Sequence, residues 1–183
     1  MDGIIWLNGT FGAGKTTTSA ELARLLPGAH VFDTEHVGFM LRHVLAEPAP
    51  VRDFQEWPPW RTLAVESIAQ VRRFLGGPLI VPQTVIVEAY WAEIHDGLTR
   101  RGLPVRHFVL HTDSAGLARR IEGDTVETGA RQWRLDHLAA YEAALPWLHA
   151  AGTVVDTTGV PPREVARRIA QAASEHTAEV TAG

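Results

Sequence analysis

The chain contains a single lysine, Lys15, and every other formally cationic side chain is an arginine. Lys15 lies in a run with the pattern Gly-x-x-x-x-Gly-Lys-Thr, which begins at Gly9 and ends at Thr16. In such a run the backbone amides of residues 12–16 can surround phosphate oxygens, the ammonium can reach the β- and γ-phosphates, and the threonine hydroxyl can ligate Mg²⁺. The pattern therefore predicts a phosphate-binding loop rather than a chance glycine turn.

The elements around this loop fit the prediction. An apolar run at residues 4–7 precedes it, and a helical pattern over residues 15–26, closed by Pro27-Gly28, follows it. A strand, a glycine loop and a helix in this order direct backbone N–H groups and a helix N-terminus at an anion.

The composition limits the class of protein. The 183 residues carry a net charge of −4, 45% of them are apolar, and none is cysteine. These values predict one globular domain over residues 1–183, without disulfides, thiolate metal sites or an electrostatic footprint for nucleic acid. The sequence also lacks a pattern typical of a signal peptide or a membrane span, so we expect a cytoplasmic protein without an integral membrane segment. The oligomeric state is left open.

Short apolar runs alternate with helical patterns along the chain. Strands are predicted at 4–7, 31–32, 79–81, 105–110 and 153–155, and helices at 15–26, 36–46, 58–75, 89–101, 114–122, 131–145 and 162–176. This alternation predicts an α/β fold of three layers, in which a parallel sheet of about five strands has helices on both faces. Two segments differ from this scaffold: an acceptor-binding insert at 36–76, which contains the proline- and tryptophan-rich stretch 47–61, and a polar lid segment at 122–134.

Acidic residues separate the possible classes of nucleotide-binding protein. A GTPase of the Ras type would need a second lysine to read the base, and the apolar strand at 79–81 has no acid, which disfavours a motor or AAA-type ATPase. Acids instead follow the second strand, as Asp33 and Glu35. Asp33 is the candidate base or acceptor-orienting group, with Glu35 as the runner-up; the alternative is that Asp33 only caps the next helix, and both roles can coexist.

Several of these runs are similar to those of known families. The loop, followed by Asp33-x-Glu35 and by Gly-Phe-Met-Leu-Arg at residues 38–42, resembles the nucleoside-monophosphate kinase superfamily, with Phe39 where adenylate kinases have Asp. Together with the run Ile-Ile-Trp-Leu-Asn before the loop and the cues Asp-Phe-Gln at 53–55 and Leu-Ile-Val-Pro at 79–82, it resembles the bacterial tunicamycin-resistance protein family. This resemblance implies a P-loop kinase fold, ATP with Mg²⁺, and an amphipathic uridine-type nucleoside antibiotic as acceptor.

Candidate site residues follow from the motif, from the sheet edge and from the resemblance. The predicted nucleotide-binding set is Gly9, Gly12, Ala13, Gly14, Lys15, Thr16, Thr17 and Arg120, with Thr16 as the metal ligand. The predicted catalytic set is Lys15, Asp33, Arg131 and Arg134, where the two arginines would stabilise charge on the γ-phosphate once a lid closes. The predicted acceptor-binding set is Glu35, Arg42, Trp60, Gln83 and Thr84.

Some of these assignments have structural alternatives. Arg42 could be a solvated helix residue, one of Arg119 and Arg120 should lie at the surface, and the aromatic residues of the insert could be core. No histidine is assigned to a metal site. The sequence predicts an ATP-dependent phosphotransferase acting on a hydroxyl of a small molecule; the alternatives are a nucleotide-gated protein that sequesters a drug, and a metabolic nucleotide or sugar kinase.

Overall fold

The computed structural model describes residues 3–113, residue 116 and residues 131–181, and the side chains in these ranges except those of 131–137 and 175–181. The strands are β1 (Ile4–Asn8), β2 (His30–Val31), β3 (Leu79–Pro82), β4 (Val105–His111) and β5 (Thr153–Asp156). The α-helices described are α1 (Lys15–Leu25), α2 (Glu35–Leu45), α3 (Pro58–Leu75), α4 (Glu88–Thr99), α5 (Arg131–Ala151) and α6 (Pro162–Thr181), and a 3₁₀ turn covers Phe54–Glu56. None of the described helices is long and apolar enough to cross a membrane.

The five strands form one parallel sheet in the order β2-β3-β1-β4-β5. Strand β1 is therefore central, and Ile4 lies opposite Leu79 on one side and Val105 on the other. The predicted α/β fold with a sheet of about five parallel strands is confirmed. Because all strands are parallel, the loops that follow them meet at one edge, where ligands of such sheets bind.

Both faces of the sheet are covered. On one face Ile5 and Leu7 join a core formed with α1, α5 and α6, and on the other face Ile4 and Trp6 join a core formed with α3 and α4. All four of these β1 side chains have an exposed fraction of 0%. Burial of each such side chain stabilises the fold by roughly 1.5–3 kcal/mol, so the strand that carries the glycine loop is held from both sides.

The structure extends one predicted helix and leaves most of another outside the described residues. Helix α5 continues through Pro146 to Ala151, whereas the sequence pattern placed its end before the proline. The last turn remains helical because it carries Leu148, which is fully buried, and Trp147, whose Nε1 donates to the Ile86 carbonyl. The helix predicted at 114–122 lies outside the described residues except for Gly116.

Candidate active site

The glycine loop joins the C-terminal end of β1 to α1, and its shape depends on backbone angles that only glycine adopts easily. Gly9 has φ of 131°, and a Cβ built on it would lie 2.5 Å from the Leu110 carbonyl oxygen. Gly14 is the N-cap of α1 with φ of 92°. The spacing of the motif therefore corresponds to positions where a side chain would be strained or would not fit.

Lys15 begins α1, and its ammonium lies over the loop. Its Nζ donates to the carbonyls of Gly9 and Thr10, at 2.8 and 3.0 Å, and lies 5.6 Å from the centroid of the Phe11 ring. The first turn of α1 contains no acidic residue, and Thr16 and Thr17 are exposed there. A cation beside the positive end of a helix makes this position favourable for an anion.

Asn8 holds the start of the loop. Its Oδ1 accepts from the backbone N–H groups of Gly9 and Val85, at 2.8 and 2.9 Å, and its Nδ2 donates to the Val85 carbonyl at 2.8 Å. The same Nδ2 lies 3.2 Å from His107 Nε2. The sequence analysis did not select Asn8, although a buried amide that ends an apolar strand just before a phosphate loop was a usable signal.

His107 is buried between β1 and the neighbouring helices. Its Nδ1 lies 3.0 Å from the Ala151 carbonyl, which can only accept, and its Nε2 faces the amide nitrogen of Asn8, which can only donate. The neutral tautomer with the proton on Nδ1 satisfies both partners. Burial lowers the pKa of His107 to about 4, and the ring stacks on Trp91 at 4.1 Å between centroids. The imidazole therefore has a structural role.

Asp33 and Glu35 lie at the same edge of the sheet, after β2. Asp33 Oδ1 accepts from the Glu35 backbone N–H at 2.9 Å, so Asp33 bonds to the first residue of α2 although the N-cap position itself is held by Thr34, which makes no side-chain cap bond. The Asp33 side chain is only partly buried, and its second carboxylate oxygen is not needed for this bond. Capping and a role toward an acceptor hydroxyl are compatible, and the catalytic role of Asp33 stays a prediction.

Three of the predicted acceptor contacts bond to the protein itself. Gln83 Oε1 accepts from the Thr34 hydroxyl at 2.7 Å, and Thr84 Oγ1 donates to the Gly9 carbonyl at 2.8 Å. Trp60 has an exposed fraction of 0% and donates its indole N–H to the Thr34 carbonyl at 3.2 Å. The structure brings all three close to the sheet edge as connectors of the loop, β3 and the insert. Because Trp60 is fully buried, direct contact with an acceptor would require the residues that bury it to move.

Arg42, unlike these three buried residues, has an exposed side chain. It is exposed on α2, with its guanidinium 5.6 Å from the centroid of the Phe39 ring. Phe39 and Met40 on the same helix have exposed fractions of 44% and 54%. This helix therefore presents a cation and apolar surface together.

The insert contains three polar residues that the sequence analysis did not assign to the site. Asp53 forms a capping box with Glu56 at the 3₁₀ turn, and Gln55 Nε2 donates to the Thr84 carbonyl at 2.9 Å. The buried guanidinium of Arg61 bonds Glu93 and the Gln55 carbonyl and lies 4.3 Å from the centroid of the Tyr90 ring. The Asp-x-x-Glu spacing at 53–56 was the local signal for a capped turn.

The loops after β4 and β5 are joined at the same edge. The Thr112 and Thr158 hydroxyls lie 2.9 Å apart, and Thr157 Oγ1 donates to the His111 carbonyl at 3.1 Å. A hydrogen bond from the Thr158 backbone N–H lowers the pKa of Asp156. His111 Nδ1 lies 3.0 Å from the Tyr141 hydroxyl, so this histidine also has a protein partner.

The predicted lid falls largely on residues that are not described. Arg119, Arg120 and residues 122–130 lie outside the described part of the chain. Arg131 and Arg134 lie in the first turns of α5, and their side chains are not described. Their proposed action on a γ-phosphate therefore stays a prediction.

Comparison with known proteins agrees with this geometry. The family described as AAA domain matches residues 4–144. The tunicamycin resistance protein of Deinococcus radiodurans is 34% identical, with a TM-score of 0.71 and an alignment that covers 94% of this chain and 96% of that chain. A search among curated proteins returned no match.

Two kinase structures resemble the fold at lower identity. Shikimate kinase from Acinetobacter baumannii in complex with shikimate is 19% identical, with a TM-score of 0.66 and coverage of 96% of this chain and 95% of that chain. A gluconokinase from Sinorhizobium meliloti is 20% identical, with a TM-score of 0.63 and coverage of 97% of both chains. At these identities the likeness shows the fold alone.

The sheet order, the glycine loop and these likenesses define a protein with a P-loop kinase-like fold. The chain belongs to the family described as AAA domain and, within the P-loop kinase-like proteins, to the tunicamycin-resistance protein family, which confirms the resemblance found in the sequence. The sequence analysis disfavoured an AAA-type ATPase, whereas the first of these families is described as AAA domain. The absence of an acid from the four residues of β3 excludes a carboxylate on that strand but does not exclude membership of the family.

Proposed function

We propose that the protein is an ATP-dependent phosphotransferase that acts on a hydroxyl of a small molecule and confers resistance to a nucleoside antibiotic of the tunicamycin type. The observation that supports this most strongly is the arrangement at the sheet edge. The Lys15 ammonium and the N-terminus of α1 follow the central strand, and the Asp33 carboxylate follows β2, with only β3 between these two strands. The 34% identity to a tunicamycin resistance protein supports the choice of acceptor.

The residues of the loop fit Mg-ATP. The backbone amides from Gly12 to Thr16 and the Lys15 ammonium would hold the phosphates, and the Thr16 hydroxyl, which is exposed at the start of α1, would ligate Mg²⁺. Mg-ATP supplies the phosphoryl group and the divalent charge. Arg120, Arg131 and Arg134 remain proposed as cations that approach the transferred group, since such cations stabilise charge that develops during transfer.

The carboxylate after β2 would act on the acceptor. Asp33 would take the proton of the acceptor hydroxyl while the hydroxyl oxygen forms a bond to the γ-phosphorus and the bond from that phosphorus to the bridging oxygen of ADP breaks. Its Oδ1 is oriented by the Glu35 N–H, which limits the rotation of the side chain. The chain thus contributes mainly positioning and charge neutralisation.

Helix α2 supports an amphipathic acceptor. Glu35 is at its start, Arg42 is exposed further along, and Phe39 and Met40 expose apolar surface between them. A nucleoside with polar and apolar parts could use these groups together, because aromatic side chains contact both bases and aliphatic chains.

The test is incubation of the protein with Mg-ATP and a panel of nucleosides, sugars and nucleoside antibiotics, followed by mass spectrometry. We expect one added phosphoryl group on a tunicamycin-type antibiotic. Tight binding of the antibiotic without a modified product would support sequestration instead. Phosphorylation of a nucleotide or sugar alone would identify a metabolic kinase.

A further inference from the structure

The segment that follows β3 links the insert to the phosphate loop. On the loop side, Thr84 Oγ1 donates to the Gly9 carbonyl at 2.8 Å. On the insert side, the Thr84 carbonyl accepts from Gln55 Nε2 at 2.9 Å, and also from Gln83 Nε2 at 3.1 Å. Gln55 and Thr84 are 8% and 7% exposed, so water competes little for these bonds.

The Gly9 carbonyl is a shared acceptor. It receives both the Thr84 hydroxyl and the Lys15 ammonium, each at 2.8 Å. A carbonyl oxygen has two lone pairs, so it can accept both bonds at once. The Thr84 hydroxyl therefore helps to orient the Gly9 carbonyl, which also accepts the hydrogen bond from the Lys15 ammonium.

We propose that Thr84 is a positioning residue for Lys15 and that Gln55, through Thr84, makes nucleotide affinity depend on the insert. The proposal rests on the proposed function, because it assumes that Lys15 binds nucleotide phosphate. It assigns Thr84 to the nucleotide side of the site, whereas the sequence analysis placed it on the acceptor side. Gln55 reaches the loop through Thr84, whose carbonyl accepts from Gln55 and whose hydroxyl donates to Gly9.

The first test is calorimetric titration with Mg-ADP in the full-length protein. Thr84→Val keeps the shape of the side chain and removes the hydroxyl, and we expect Mg-ADP to bind about 3- to 10-fold more weakly, the range for one lost hydrogen bond. Thr84→Ser restores the hydroxyl and should bind within about twofold of the wild type. The unfolding temperature of each variant is measured in parallel. If Thr84 has only a structural role, the changes in Mg-ADP affinity in Thr84→Val and Thr84→Ser will follow matching changes in unfolding temperature.

The second test concerns the insert. Gln55→Leu removes the donor to Thr84 while the Thr84 carbonyl keeps the bond from Gln83, so the fold should be retained. We expect about threefold weaker Mg-ADP binding, and no further loss when Gln55→Leu is added to Thr84→Val, since the link is already broken. The matched control is Gln70→Leu on the exposed face of α3, where Gln70 bonds to two neighbours on its own helix, Glu66 and Arg73. This control should bind as the wild type does.

The outcomes separate the two proposals. If the wild-type protein binds no Mg-ADP, the proposed function fails and the inference about Thr84 fails with it. If the wild type binds and Thr84→Val binds equally well, only the inference about Thr84 is overturned. Equal effects of Gln55→Leu and Gln70→Leu, or additive effects of Gln55→Leu and Thr84→Val, would overturn the coupling to the insert.

Discussion

The phosphate loop at residues 9–16 and the insert at residues 36–76 meet at one edge of the sheet, but different forces shape them. In the loop, positive φ angles at Gly9 and Gly14 and bonds from Lys15 to two backbone carbonyls of the loop define the geometry. In the insert, side chains do so through long-range bonds, such as those from Gln55 to Thr84 and from Trp60 to Thr34. Phosphate is a ligand of many proteins, so a loop with a geometry set by the backbone suits it. A surface formed by side chains can instead differ between proteins that bind different acceptors.

Lys15→Met should produce the largest change on the loop side. Loss of the ammonium removes charge stabilisation at the phosphates, so we expect kcat/KM to fall by about 10²–10³-fold. Steady-state kinetics with the acceptor found by mass spectrometry would measure this. The matched control is Arg24→Met, which removes an exposed cation from the same helix, where it pairs with Glu21. Full activity in Lys15→Met would remove the loop from the mechanism.

Asp33→Asn tests whether the carboxylate between β2 and the insert takes part in chemistry. Asparagine still accepts the Glu35 N–H through its oxygen, so α2 should form normally, but it cannot take a proton. We expect kcat to fall by about 10²-fold with unchanged Mg-ADP affinity, since a general base contributes roughly that factor or more. Unchanged turnover would assign Asp33 to capping alone.

A pair of glycine substitutions compares the two regions directly. Gly9→Ala would place a Cβ 2.5 Å from a backbone oxygen of β4, and because β4 is paired on both sides, with β1 and β5, we expect a loss of about 4 kcal/mol in the free energy of unfolding. Gly38→Ala would meet the Phe54 ring at 2.7 Å, but a side chain can move and alanine favours a helix, so we expect a loss of only about 1 kcal/mol.

Denaturant unfolding of both variants would measure this difference. Gly28→Ala serves as a control for positive φ alone, because a Cβ there meets nothing within 4 Å. Equal losses in Gly9→Ala and Gly38→Ala would contradict the view that backbone geometry defines the loop whereas movable side chains define the insert.

A pH dependence of the free energy of unfolding should originate at His107, behind the loop. Burial lowers its pKa from 6.5 to about 4, so the unfolded chain binds more protons between these values. The stabilisation is complete above about pH 6.5 and is lost as the pH falls toward 4, by at most about 3 kcal/mol. Thermal unfolding across this range should show the slope in the wild type, and His107→Gln should reduce it. His43→Gln, which changes an exposed histidine on α2, should leave it intact.

Much of the scaffold was predictable from local sequence. The apolar runs gave the positions of the strands to within about two residues, and the glycine and lysine spacing located the loop, because local backbone preferences and periodicity act over a few residues. The extension of α5 through Pro146 was missed, since the burial of Leu148 outweighs a local helix-breaking preference. Asn8 was missed because its partners at Val85 and His107 are 77 and 99 residues away.

The sequence alone predicted that a cation, a glycine loop and a helix start would lie together after a buried strand, and the structure has them in that order. The tertiary structure decided the order of the strands, the burial of Trp60, and the bonding of Thr84 to Gly9 rather than outward. The physical reason is the range of the interactions: backbone conformation is set by adjacent residues, whereas the partners of a buried polar group depend on which distant segments pack together.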